Sequence, residues 1–186
     1  MIRRAAILIL ILFSVIPAAS AQEIVDSWKY TVRRPAERWQ LADFDTNGWS
    51  DGDGGFSVRG TPGARVGTVW ATNSIWLRKL FELSEIPGKP ALLIQHDEDV
   101  EVFVNGKPVA KLTGFTTKYE VVPIADADAS TIRVGSNLMA VHCRQKTGGQ
   151  FIDVHLIDAD DVPALPKPKR STMPSGHTRG FAPLAG

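Results

Sequence analysis

Apolar and polar residues alternate with a period of two along this chain, and clusters of Gly, Pro, Asn and Asp break the pattern at short intervals. In Ile75-Trp76-Leu77-Arg78-Lys79-Leu80-Phe81-Glu82-Leu83 the odd positions Ile75, Leu77, Phe81 and Leu83 form one mostly apolar face, with Arg78 and Glu82 on the other. Successive side chains of an extended backbone point to opposite faces, so this is a strand buried on one side. Val100, Val102 and Val104 repeat the pattern up to Asn105-Gly106, and Val109 and Lys111 continue it beyond. Asn-Gly readily takes positive φ at both central positions of a type I′ turn, which predicts a β-hairpin over 100–112. Further strands are predicted at Ser27–Arg33, Leu92–His96, Tyr119–Pro123, Leu138–Arg144 and Phe151–Ile157. Beyond the first residues, no segment of ten or more carries an apolar helical stripe. About seven short strands so punctuated predict an all-β fold, an antiparallel β-sandwich or barrel.

The two ends differ from this middle. Arg3 and Arg4 precede an apolar run from Ala5 to Ile16, and Ala19-Ser20-Ala21 supplies a small-x-small cleavage site. That predicts a secretory signal peptide over 1–21, hence an exported protein, periplasmic or extracellular, with no membrane span. At the other end, residues 162–186 hold five of the twelve prolines and four basic residues, Lys167, Lys169, Arg170 and Arg179, with no carboxylate. Such a composition cannot bury enough apolar surface to offset ordering, so the segment is predicted to be a disordered basic tail. Residues 22–161 then form a single domain, with fifteen basic and all twenty acidic residues, a net charge of −5. One cysteine in the whole chain and this charge balance exclude a disulfide-stapled miniprotein and a basic nucleic-acid binder.

Motifs of catalysis are missing: there is no Gly-x-Ser-x-Gly elbow, no His-Glu-x-x-His, no Cys-x-x-Cys and no phosphate-binding glycine loop. Cys143 shares its phase with Met139 and Val141 and is expected in the core as a small hydrophobe. Asp43-Phe44-Asp45-Thr46-Asn47-Gly48-Trp49-Ser50-Asp51 resembles the first half of a calcium loop, but position twelve is Gly54 instead of a bidentate glutamate. Asx-turns account for the same residues. No cofactor is assigned, and Asp51 and Asp53 leave a structural calcium ion in another geometry open. His96-Asp97-Glu98-Asp99 is read as a polar turn capping the sheet, because adjacent carboxylates on a strand end point in opposite directions. The glycine-rich stretch from Asp43 to Thr68 is expected to be a long connection across one end of the sandwich, tied down by Phe44, Trp49 and Phe56.

A binding patch is suggested by the last two strands. If Val141 and Cys143 share the inward face with Ile152, Val154 and Leu156, a direct hairpin sets Arg144 opposite Asp153 and His142 opposite His155. Thr147-Gly148-Gly149-Gln150 becomes its loop. His142, Arg144, Asp153 and the amides of Gln145 and Gln150 would then form one hydrogen-bonding surface for sugar hydroxyls, or an ion pair on a solvated face. The five tryptophans are expected first as core anchors; Trp76 lies opposite Leu77, and Trp70, beside Thr72 and Asn73, is the candidate for exposure, where it could stack on a sugar ring.

In this order the motifs resemble a known family. Trp39, Phe44-Asp45-Thr46-Asn47-Gly48-Trp49, Thr68-Val69-Trp70, the strand Ile75–Leu83, His96-Asp97-Glu98-Asp99-Val100-Glu101-Val102-Phe103-Val104-Asn105-Gly106-Lys107, Gly135-Ser136-Asn137 and Val141-His142-Cys143-Arg144-Gln145 resemble the galactose-binding-domain-like jelly roll. The likeness is closest to the amino-terminal sugar-binding domain of glycoside hydrolase family 2 enzymes and to accessory domains of secreted bacterial glycan-degrading proteins. It implies a β-sandwich of eight or nine strands that binds carbohydrate or packs against a catalytic domain. Catalysis is not implied, because a catalytic barrel of roughly 250 residues has no room here. The expected function is a non-catalytic carbohydrate-binding or accessory module. The alternative is a docking module for a partner glycosidase or envelope protein.

Overall fold

The computed structural model describes residues 27–59, 61 and 65–163; the signal peptide expected over 1–21 and the tail expected over 162–186, except Val162 and Pro163, lie outside them. Eleven strands and one short helix, α1 (Asp126–Ala129), are present among the described residues. One sheet contains β1 (Ser27–Thr31), β2 (Ser50–Asp53), β5 (Ser74–Leu83), β7 (Asp99–Val104), β8 (Lys107–Leu112) and β10 (Gly135–Arg144), in the order β2-β1-β5-β10-β7-β8. The other contains β3 (Phe56–Ser57), β4 (Thr68–Val69), β6 (Pro90–Asp97), β9 (Glu120–Pro123) and β11 (Phe151–Asp158), in the order β4-β3-β11-β6-β9. All pairings are antiparallel except β3 with β4. The chain is a β-sandwich, as the alternation predicts.

The core lies where period two places it. Ile75 and Leu77 of β5, Val100, Val102 and Val104 of β7 and Val141 and Cys143 of β10 are buried on the inner face of the six-stranded sheet. They meet Leu92 and Ile94 of β6 and Ile152 and Val154 of β11 from the five-stranded sheet. The Cys143 thiol is held far above the ordinary thiol range, first by burial.

One expected pairing is overturned. β10 pairs with β5 and β7, whereas β11 pairs with β3 and β6 in the other sheet, so the two are not a hairpin. Alternation reports which residues face inward, and two strands can share an inward phase either side by side or face to face across the core. Residues 145–150 cross between the sheets, held by Gln145 N–H donating to Asn73 O at 2.9 Å and Gln150 Nε2 donating to Thr72 O at 3.0 Å. The acidic turn Asp97-Glu98-Asp99 makes a second crossing, from β6 to β7. His96 Nδ1–H donates to Glu98 O at 2.6 Å, Thr147 Oγ1 donates to Glu98 Oε1 at 3.1 Å, and Lys146 holds Asp99 at 2.7 Å. That is a capping turn.

Within the long connection, β2, β3 and β4 are strands too short to show alternation. Phe56 is in the core, while Phe44 and Trp49 are half-buried and meet edge to face at 6.0 Å. Asn47 N–H donates to Asp45 Oδ1 at 2.8 Å, an Asx-turn. No three His, Cys, Asp or Glu side chains stand together as metal ligands among the described residues. No helix there is long and apolar enough to cross a membrane.

The Asn105-Gly106 turn has φ of 50° and 84°, and it does more than reverse the chain. Asn105 Oδ1 accepts from Leu138 N–H at 2.9 Å, and its Nδ2 donates to Thr131 O at 2.7 Å and to buried Asn137 Oδ1 at 2.8 Å. Asn137 in turn donates to Arg133 O and Gly135 O. These bonds staple the β7–β8 hairpin to the start of β10. Asn105→Gly keeps the backbone freedom and removes the bonds, and should lower unfolding free energy in urea by about 2 kcal/mol. Asn105→Ala should lower it further, because a methyl side chain is strained at positive φ.

Candidate functional site

The outer face of the six-stranded sheet carries the candidate site, built from two rows of side chains. Cross-strand register sets Arg78 of β5 beside Ala140 of β10 and Ala140 beside Phe103 of β7. The next row is Trp76, His142, Glu101 and Lys111, from β5, β10, β7 and β8.

The first row is covered. After β1 the chain turns back, and residues 34–44 cross over the sheet as a strap. Arg78, only 6% exposed, reaches up to it, and its Nη1 donates to Trp39 O and to Leu41 O, the latter at 2.8 Å. The Phe44 ring lies 5.5 Å from the guanidinium carbon, and Trp39 meets Phe103 edge to face at 5.6 Å. A side chain at Gly106 would sit 2.6 Å from Leu41 Cδ2, so the hairpin turn also buttresses the strap. Burial pulls the Arg78 guanidinium below its ordinary pKa, and Asp43 partly opposes this.

The second row stays open as the floor of a groove of about 550 Å³, with the strap as one wall and Ser74, Trp76, Glu101, His142 and Arg144 on the sheet side. The His142 ring stacks on Trp76 with centroids 4.6 Å apart and planes inclined by 8°. Its Nδ1 lies 3.9 Å from Glu101, which is also bound by Lys111 at 2.8 Å. His142 Nε2 is buried with no partner among the described residues. Burial is the main force holding this imidazole below its usual pKa; Glu101 opposes the shift, and Arg144 and Arg34 reinforce it.

The residues expected to form one patch are divided by the fold. His142 and Arg144 line the groove. Gln150 is buried in the sheet crossing, and Gln145 is half-buried there with its Nε2 donating to Thr147 O at 2.9 Å. Asp153 is on the outer face of the opposite sheet, 4% exposed, accepting from Tyr119 Oη at 2.5 Å with His155 Nε2 at 3.4 Å. Burial acts to raise the Asp153 pKa, but His155, Tyr119 and the Gly55 N–H together hold it below the ordinary carboxylate value. Arg144 therefore does not face Asp153, nor His142 His155, because the strands that carry them belong to different sheets.

Trp70 is also corrected. It is 1% exposed, with its indole N–H donating to Thr72 Oγ1 at 2.9 Å, which places the ring in the core and leaves no face for a ligand. The strap escaped sequence reasoning because residues 34–44 have no periodicity. The signals available were Arg78, a cation at the centre of a strand, and the outward phase of Trp76.

No protein-family model matches this sequence, and no curated protein matches it. Solved structures do. A glycoside hydrolase family 2 member from Bacteroides cellulosilyticus is similar over 73% of this chain and 20% of its own, at 15% identity and a TM-score of 0.50. A β-glucuronidase from Bacteroides uniformis is similar over 72% of this chain and 17% of its own, at 16% identity and a TM-score of 0.48. The chain thus spans about a fifth of the length of these solved proteins. It shares the fold of a part of a glycoside hydrolase family 2 protein, the likeness its motifs display.

Arg78→Met should free the strap and leave two carbonyls without a donor, lowering unfolding free energy by about 2–3 kcal/mol and red-shifting tryptophan emission as Trp39 is exposed. A depressed imidazole pKa gives a defined pH dependence. His142 contributes stability that is fully present above the unfolded imidazole pKa and is lost as pH falls through the lower folded value. In urea titrations between pH 7 and pH 4.5, His142→Phe, which retains a ring on Trp76, should remove that part of the decline.

Proposed function

We propose that this protein is an exported, non-catalytic carbohydrate-binding module and that its binding site is the groove between the strap and β5, β10 and β7. The observation that carries the reading is the composition of that groove. Its floor is the partly exposed His142 ring, backed by the buried Trp76 on which it stacks, and its sides present Glu37, Gln40, Ser74, Glu101 and Arg144. A saccharide offers an apolar C–H face and a rim of hydroxyls, so a ring floor with converging donors and acceptors suits it, and 550 Å³ is within the usual size of ligand sites. The shared fold with part of a glycoside hydrolase family 2 protein supports a role beside glycan breakdown. The segment 1–21 supports export, and the absence of catalytic motifs supports binding without turnover.

A second reading has one observation in its favour. The matched proteins carry this fold within chains about five times as long as the matched part, which suits a module that docks on a partner glycosidase. Calorimetry of the full chain against a panel of neutral and acidic oligosaccharides separates the two. Binding should be seen, and it should weaken at least about tenfold in Gln40→Ala and His142→Ala, each of which removes a groove contact. Lys118→Ala, in the segment leading to β9 of the other sheet, should bind normally. Failure of every saccharide to bind would favour docking, and measurable turnover of any glycoside would contradict a non-catalytic module.

A further inference from the structure

The charges around the groove are unevenly satisfied. Arg38 is paired with Asp43 at 3.4 Å, and Glu101 is bound by Lys111 and faces His142. Arg34 and Arg144 also reach this groove, both exposed; neither side chain makes a hydrogen bond or ion pair among the described residues, and the charge of Arg144 is felt by Asp99. The carboxylate closest to Arg144 in register is Asp99, and it is held by Lys146 at 2.7 Å. Glu37, on the strap wall, is an exposed carboxylate with no partner among the described residues, able to accept from hydroxyls.

The two guanidiniums come from different elements, one from the segment following β1 and one from the last residue of β10. Both act on the same imidazole, each disfavouring a charge on His142. Two like charges therefore line the same groove, Arg34 from the strap wall and Arg144 from the sheet side, with Glu37 and Glu101 as its carboxylates. A guanidinium presents a planar fork of donors that matches the oxygens of a carboxylate or a sulfate better than it matches a lone hydroxyl.

Building on the carbohydrate reading above, we infer that the groove selects saccharides bearing an anionic substituent, a carboxylate or sulfate ester, and that Arg34 and Arg144 hold that substituent while the sugar ring lies over His142. The neighbouring charges fit this division of labour. Lys111 and Lys146 are occupied by Glu101 and Asp99, so those carboxylates do not repel the ligand as free charges would, and Glu37 is left to face the hydroxyls and not the anion. A bound anion would also offset the repulsion that the two arginines impose on a protonated His142.

The test compares trigalacturonate, a sulfated galactan oligosaccharide and neutral galactotriose on the full chain at low salt, by calorimetry and by NMR titration of His142. One acidic ligand should bind about tenfold more tightly than the neutral sugar, consistent with two exposed charge contacts. Arg34→Gln and Arg144→Gln should each weaken acidic binding by about three- to fivefold, a larger factor than either imposes on neutral binding. Both sites are exposed, so the variants should keep the parent circular dichroism spectrum. The acidic ligand should move the His142 titration upward, and raising the salt should weaken its binding. Equal affinity for neutral and acidic sugars, or unchanged acidic affinity in both variants, overturns the inference while sparing the carbohydrate reading. Binding of no saccharide overturns both. Displacement of the acidic sugar by millimolar sodium sulfate alone would reduce the groove to an anion site and also overturn it.

Discussion

The buried guanidinium of Arg78 is the contact on which the site depends. An outward-facing position at the centre of a six-stranded sheet would ordinarily meet water. Here the chain after β1 folds back over it and supplies two backbone carbonyls and an aromatic face. Backbone carbonyls over a sheet need donors, and a planar cation with several N–H groups provides them from a single side chain. The small Ala140 beside Arg78 leaves room for Phe103 and Trp39 to meet on the far side. One row of the sheet surface is closed in this way. The adjacent row of Trp76, His142 and Glu101 becomes a groove because it lies at the margin of what the strap covers.

The two outer faces of the sandwich are chemically different. On the five-stranded sheet, Asp153 is buried and bound by Tyr119 near His155, and burial of a carboxylate is tolerable only with such partners. On the six-stranded sheet, the partly exposed His142 ring and two exposed guanidiniums border a cavity. The two faces thus differ in what they leave exposed, although both carry the same residue types.

Much of the fold was legible in the sequence because alternation and turn chemistry are local. Ile75 to Leu83 and the Asn105-Gly106 hairpin fall where the residues place them, and Cys143 is in the core. Sheet partnership was not legible. Val141 and Ile152 share an inward phase, and phase alone does not distinguish neighbours in one sheet from residues that face each other across the core. Half of the candidate site was lost through that ambiguity, since Asp153 left with β11 while His142 and Arg144 stayed with β10. Trp70 looked exposed because it sits among polar loop residues, yet a large ring with a nearby hydroxyl for its N–H is readily buried. The strap had no pattern to read, since its position is dictated by Arg78, some forty residues away.

Chemical-shift mapping of the full chain, isotope-labelled and titrated with a binding oligosaccharide, tests the central claim most directly. The account predicts that perturbed signals gather at Gln40, Ser74, His142, Arg144 and the Trp76 indole, with Tyr119, Asp153 and His155 unmoved. Perturbations gathered on the Asp153 face, or spread without relation to the strap, would contradict it.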